Sequence, residues 1–118
     1  VKATRGKQYA ILDGGMHHCF SATGHFGQLI KKNFRTANLS RPSGPVSVYD
    51  VVGPLCTPLD TLARQVALPE LAPGDLVGIA NCGAYGLTAS PTGFLGHDPP
   101  AEIIHLGGRP ALSAPRHD

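Results

Sequence analysis

An all-β domain is what this sequence predicts, on three observations. Fifteen glycines and eleven prolines punctuate 118 residues, which favours short elements joined by many turns. Charged residues make up only 15%, against long, solvated surface helices. The apolar runs are brief and end in turn residues, as strands do. Residues 1–118 are expected to form one unit, long enough to bury a core.

Gln8 to Leu12 is a short apolar, partly β-favouring run that stops at Asp13-Gly14-Gly15, so it reads as a strand delivering Asp13 to its end. Met16 to Phe34 shows no clean period; strand, loop and strand is the expectation, with Gln28-Leu29-Ile30 as a strand core. Leu39 to Pro45 carries Ser40, Pro42, Ser43, Gly44 and Pro45, the composition of a surface hairpin. Val46 to Val52 alternates like a half-buried strand and runs into Gly53-Pro54.

Thr61 to Leu68 favours a short helix, with Asp60 as its N-cap and Pro69 limiting its continuation. Leu71 to Asp75 is a turn. Leu76 to Ala80 is a strand that leads into the glycine-bounded loop Asn81-Cys82-Gly83-Ala84-Tyr85. Ala101 to Leu106 is the last expected strand, and the tail to Asp118 is expected to fray.

Composition argues against several functions. The net charge is +2, and Lys31-Lys32 with Arg35 is the only basic cluster, which reads as a solvated face and not as a nucleic-acid footprint. No apolar run approaches the roughly 20 residues that span a bilayer, so a soluble, cytoplasmic protein without membrane contact is expected. Cys19, Cys56 and Cys82 are odd in number and lack Cys-x-x-Cys spacing, which predicts reduced thiols without a zinc site. Neighbours on a strand point to opposite faces, so His17-His18 and His25 are not expected to bind metal.

The chemistry concentrates in three motifs. Cys56 lies between Gly53-Pro54 and Pro58, residues that restrict the backbone and fix a thiol's direction, as a positioned proton donor needs; the alternative is a small buried hydrophobe. Tyr85, beside Gly83, reads on its own residues as a core tyrosine bonded to a carbonyl, with a phenol that can also donate elsewhere. Asp13 reads on its own as a turn residue bonded to nearby backbone N–H groups.

Gly53-Pro54-Leu55-Cys56-Thr57-Pro58-Leu59-Asp60, Gly83-Ala84-Tyr85 and Asp13-Gly14-Gly15-Met16 together resemble the C-terminal domain of the pyridoxal-phosphate-dependent decarboxylases of the ornithine, arginine and diaminopimelate type. The likeness spans about residues 5–106. It implies an alanine-racemase-C-like β-barrel in which Cys56 enters the partner subunit's active site to protonate the carbon that loses carbon dioxide. Tyr85 and Gly83 would then serve the cofactor phosphate, and Asp13 and Thr57 would lie near the substrate.

Thr57 stands where the enzymes of basic amino acids carry a carboxylate, which argues against a free basic amino acid as substrate. The segment from Met16 to Phe34 lacks the Arg-Pro-x-x-Tyr of diaminopimelate decarboxylases and is similar to a branch that includes exosortase-associated decarboxylases and relatives acting on carrier-bound aminoacyl groups. Lys31, Lys32 and Arg35 would then face an acidic carrier protein. The lysine that holds pyridoxal 5'-phosphate lies, in this family, on an N-terminal (β/α)8 barrel that 118 residues do not accommodate beside this domain. The resemblance therefore implies a barrel domain or subunit as partner, within a homodimer. The alternative is a decarboxylase-derived interaction module that binds a related enzyme or a carrier protein without catalysing.

Overall fold

The computed structural model describes residues 1–112. Its strands are β1 (Lys2–Thr4), β2 (Lys7–Ile11), β3 (Thr36–Asn38), β4 (Val46–Val52), β5 (Thr61–Pro69), β6 (Val77–Ile79), β7 (Ile103–Leu106) and β8 (Arg109–Leu112), with 3-10 turns at Phe20–Thr23 and Phe94–Gly96. The strand-rich class is as expected. β1, β2, β4 and β5 form one sheet in that order, while β3 pairs with β6 and β7 with β8. Among the described residues these are three separate sheets, so the expected barrel is not closed.

β4 occupies the predicted residues 46–52, and β2 lies one residue earlier than predicted. They run parallel, with Ile11 opposite Val52, whereas β5 is antiparallel to β4. Tyr49, Val51, Ala10, Leu62, Ala63, Leu68 and Ala22 form the core over this sheet. Burying those side chains is the main stabilising term, at about 25 cal/mol per Å² of apolar surface.

The helix expected over Thr61 to Leu68 is instead β5, the longest strand. Two bulges hid its period. Arg64 and Gln65 together oppose Asp50, and Leu62 is an extra residue between the pairs Val51–Ala63 and Val52–Thr61. Consequently Leu62 and Ala63 are both buried. The bulge at Gln65 takes φ 48°, and the buried Asp50 carboxylate accepts the Gln65 backbone N–H (2.8 Å) and side-chain amide (2.9 Å). Burial would raise the Asp50 pKa, but these bonds, with Lys7 and Arg64 nearby, hold it below its ordinary value.

Other segments also differ from expectation. Gln28, Leu29 and Ile30 form irregular loop with bends at Leu29 and Ile30, not a strand, and Leu29 is fully exposed. Leu39 to Pro45 joins β3 to β4, which belong to different sheets, so it is no hairpin. Buried Asn38 anchors that connection. Its amide donates to the Pro69 and Glu70 carbonyls, and its oxygen accepts the Ser40 and Arg41 N–H groups. Part of the tail forms β8, which closes a hairpin with β7; residues 113–118 lie outside the described residues.

Candidate functional site

Because β2 and β4 are parallel neighbours, their C-terminal ends release the Asp13 and Gly53 loops side by side. Leu12 N–H continues the pairing onto the Val52 carbonyl at 2.9 Å. Asp60, 2% exposed, then joins the loops: one carboxylate oxygen accepts Met16 N–H at 2.7 Å and the other accepts Leu55 N–H at 2.8 Å. Backbone bonds close the cysteine loop, from Gly53 N–H to the Asp60 carbonyl at 3.0 Å and from Asp60 N–H to the Thr57 carbonyl at 3.1 Å. Asp60 is therefore no helix cap; it bonds backbone N–H groups of two loops 44 and 5 residues away.

The glycines of both motifs have a steric reason. A Cβ on Gly15 would fall 2.4 Å from an Asp60 carboxylate oxygen, and one on Gly53 would fall 2.2 Å from the other. With buried Leu55 as anchor, this frame leaves the Cys56 thiol exposed and free. Thr57 is half-buried, and its hydroxyl accepts Leu59 N–H at 3.3 Å. The Thr57 hydroxyl thus helps to shape the turn.

Asp13 is exposed, and its carboxylate has no hydrogen-bond partner among the described residues, so the local turn bond considered above is not formed. It lines a cavity of about 640 Å³ together with Gly14, His18, Cys19, Leu71 and Cys82. Cys56, Thr57, Gly83 and Tyr85 lie outside that lining. Gly83 has φ 64° with open space where a Cβ would point. Tyr85 is 66% exposed, its ring 6.3 Å from that of Phe26, which in turn lies 6.3 Å from Phe20. Its hydroxyl is free to donate.

His17 and His18 sit in a turn, not on a strand, so the expectation of opposed side chains fails. Their rings are 3.9 Å apart, and His97 lies 5.0 Å from His17. Among the described residues no group of His, Cys, Asp and Glu is arranged to hold a metal ion. His17 is 1% exposed, with Nδ1 buried and unpartnered. Burial, then the charges of His18 and His97, push its pKa below the ordinary 6.5, outweighing the pull of Asp60.

The unfolded chain therefore takes up a proton on His17 before the folded one does, and stability falls as pH drops below about 6.5. The Asp50 contribution is lost only at lower pH, below the ordinary carboxylate value. Thermal melts from pH 7 to pH 5 are expected to show a falling Tm, with a shallower slope in His17→Gln. His25, whose pKa burial and Lys31 also lower, sustains the remainder. An identical slope in both proteins would exclude His17 as a source.

Fold and loops together define the sheet-domain class of the decarboxylases. The family model described as "Pyridoxal-dependent decarboxylase, C-terminal sheet domain" matches residues 1–83, and the chain belongs to that family. It is 42% identical over 111 residues to the L-glutamyl-[BtrI acyl-carrier protein] decarboxylase of Niallia circulans, covering 91% of this chain and 26% of that protein. It is 34% identical over 86 residues to the diaminopimelate decarboxylase of Bacteroides thetaiotaomicron, covering 73% and 21%. The solved diaminopimelate decarboxylase of M. jannaschii in complex with L-lysine superposes with a TM-score of 0.80 at 20% identity, over 94% of this chain and 24% of that one, a likeness of fold. The chain thus spans about a quarter of the length of the curated relatives it matches.

Two features escaped the sequence reading. Asp60 was legible as a residue that bonds backbone, but not as a tie between loops. The Cys19 and Cys82 sulfurs, 63 residues apart in sequence, lie 2.8 Å apart, with nothing in their spacing to signal it. Among the described residues no helix is long and apolar enough to cross a membrane.

Proposed function

We propose that this chain is the C-terminal half-site of a pyridoxal-phosphate-dependent decarboxylase that acts on an aminoacyl group held by a carrier protein. The observation that carries this reading is the Asp60-tied loop, which holds the Cys56 thiol exposed and unpaired. In that reading Cys56 donates the proton that replaces carbon dioxide, across the interface of a homodimer. A thiol held out from the surface by a rigid turn suits a site completed by another domain. The exposure of Phe26, Leu29, Ile30 and Tyr85 supports a covering partner, the (β/α)8 barrel domain or subunit of the assembled cytoplasmic enzyme.

The residues present fit one end of the cofactor. The free Tyr85 hydroxyl and the open backbone at Gly83 would hold the phosphate of pyridoxal phosphate, with a phenol donating to a charged acceptor. Bound there, the cofactor supplies an electron sink for loss of carbon dioxide. Asp13, unpaired at the cavity mouth, and Thr57 would face the substrate; Thr57 brings no charge for a distal ammonium.

Carrier attachment is supported by the name of the Niallia circulans relative and by exposed Lys31, Lys32 and Arg35. Lys31 and Lys32 also line, with Arg64, a smaller cavity of about 160 Å³. Assembled with its barrel portion, the Lys31→Glu plus Lys32→Glu protein is expected to lose at least about tenfold in kcat/KM on a carrier-bound aminoacyl substrate, since two charge reversals at an acidic partner oppose docking. Carbon dioxide release from the carrier-bound substrate measures it. An unchanged value would remove the carrier protein from the proposal, and no release from the unaltered assembly would remove the decarboxylase reading itself.

A further inference from the structure

We propose that Cys19 and Cys82 are a peroxide-sensitive dithiol that closes to a reversible disulfide and ties the Gly83-Ala84-Tyr85 loop to the turn after Asp13. The two sulfurs are 2.8 Å apart and share a hydrogen bond, already near the roughly 2.05 Å of a covalent bridge. Both side chains are half-buried and line the cavity at Asp13, through which a small oxidant reaches them. Cys56 is not part of this pair.

The backbone on each side is already held. Cys82 lies between two left-handed residues, Asn81 with φ 63° and Gly83 with φ 64°, and its thiol donates to the Ile79 carbonyl at 3.6 Å. Cys19 N–H donates to the Gly15 carbonyl at 3.2 Å. A second bridge joins the same segments: Phe20 N–H donates to Ser90 Oγ at 2.9 Å, and that hydroxyl donates to the Gly86 carbonyl. Closing the disulfide therefore asks little movement of either segment.

The order of the two thiols follows from their surroundings. Burial, with the bond to Cys19, pushes the Cys82 pKa up to about 12, so Cys82 stays protonated while Cys19 attacks first. Cys19 thiolate displaces hydroxide from hydrogen peroxide and becomes a sulfenic acid. Cys82 sulfur then forms the S–S bond, the sulfenic hydroxide leaves, and it takes the Cys82 proton to become water. Two thiols and one peroxide give one disulfide and two waters.

Peptide mapping of the full-length protein tests this. Trypsin cuts after Lys7, Lys31, Arg35 and Arg64 and so places each of the three cysteines on its own peptide. After hydrogen peroxide and iodoacetamide, the expected product is a Cys19–Cys82 peptide pair two hydrogens lighter than its parts, parted by dithiothreitol, with both thiols lost to alkylation while Cys56 is still labelled. In Cys82→Ser, dimedone is expected to label Cys19; in Cys19→Ser it should leave Cys82 unlabelled. Hydrogen exchange of amides 83–86 should slow in the oxidised protein. Full alkylation of Cys19 and Cys82 after peroxide, or a link from either to Cys56, would overturn the pair; dimedone on Cys82 would overturn the order, and unchanged exchange the tether.

Discussion

Asp60→Asn is expected to lower the unfolding free energy of this chain by about 3 kcal/mol and, in the assembled enzyme, to abolish most decarboxylation. The carboxylate accepts one backbone N–H on each oxygen, from Met16 and Leu55. Asparagine keeps one acceptor and turns an amide donor toward the other N–H, leaving two buried donors face to face. Rearrangement offers no relief, because Gly15 and Gly53 approach so closely that a single added methyl on either would overlap the carboxylate. Urea denaturation measures the loss. A cost under about 1 kcal/mol would mean that another group ties the two loops.

Cys56→Ala is expected to do the reverse: leave stability within about 0.5 kcal/mol and slow product formation by about 100-fold or more. The thiol is exposed and bonded to nothing described, so removing it disturbs no packing, whereas under the proposed function the reaction loses its proton donor. Cys56→Ser should follow alanine, since a hydroxyl is a far weaker acid. Rate measurements on the assembled enzyme decide this, with the denaturation midpoint as the control for folding. An unchanged rate would end the general-acid assignment. The two variants together separate the frame from the group it carries: one changes stability and rate, the other rate alone.

The sheet was legible where its period survived. Val46 to Asp50 mixes apolar and polar positions before the apolar pair Val51-Val52, and β4 occupies residues 46–52. β5 was misread because local propensity at Leu62, Ala63 and Arg64 favours a helix, and two bulges erase the alternation that would have contradicted it. Pairing with β4 and burial of Leu62, Ala63 and Leu68 override that propensity. Cys56, Tyr85 and Asp13 were legible through the resemblance of their motifs, since by type and neighbours alone each fits a structural role as well.

Their supports were not. Asp60 meets Met16, Asn38 meets Pro69 and Glu70, and Cys19 meets Cys82 only because distant segments converge. A local reading of Asp60 offers it the nearest open backbone, which is that of the residues just after it. His17 and His18 show the same limit: the supposed strand geometry separated them, and a turn brought their rings together.

The parallel register of β2 and β4 also bears on how such a site can change over generations. Loops released from adjacent strands and clasped by one carboxylate are a single heritable unit. A residue inserted after Ile11 alone would pull Met16 away from Asp60 and loosen the cysteine turn, although that turn's own sequence stayed intact. Lengthening one loop therefore demands an answering change in the other. A graft onto a foreign scaffold must carry both loops together with the strand order that sets them side by side.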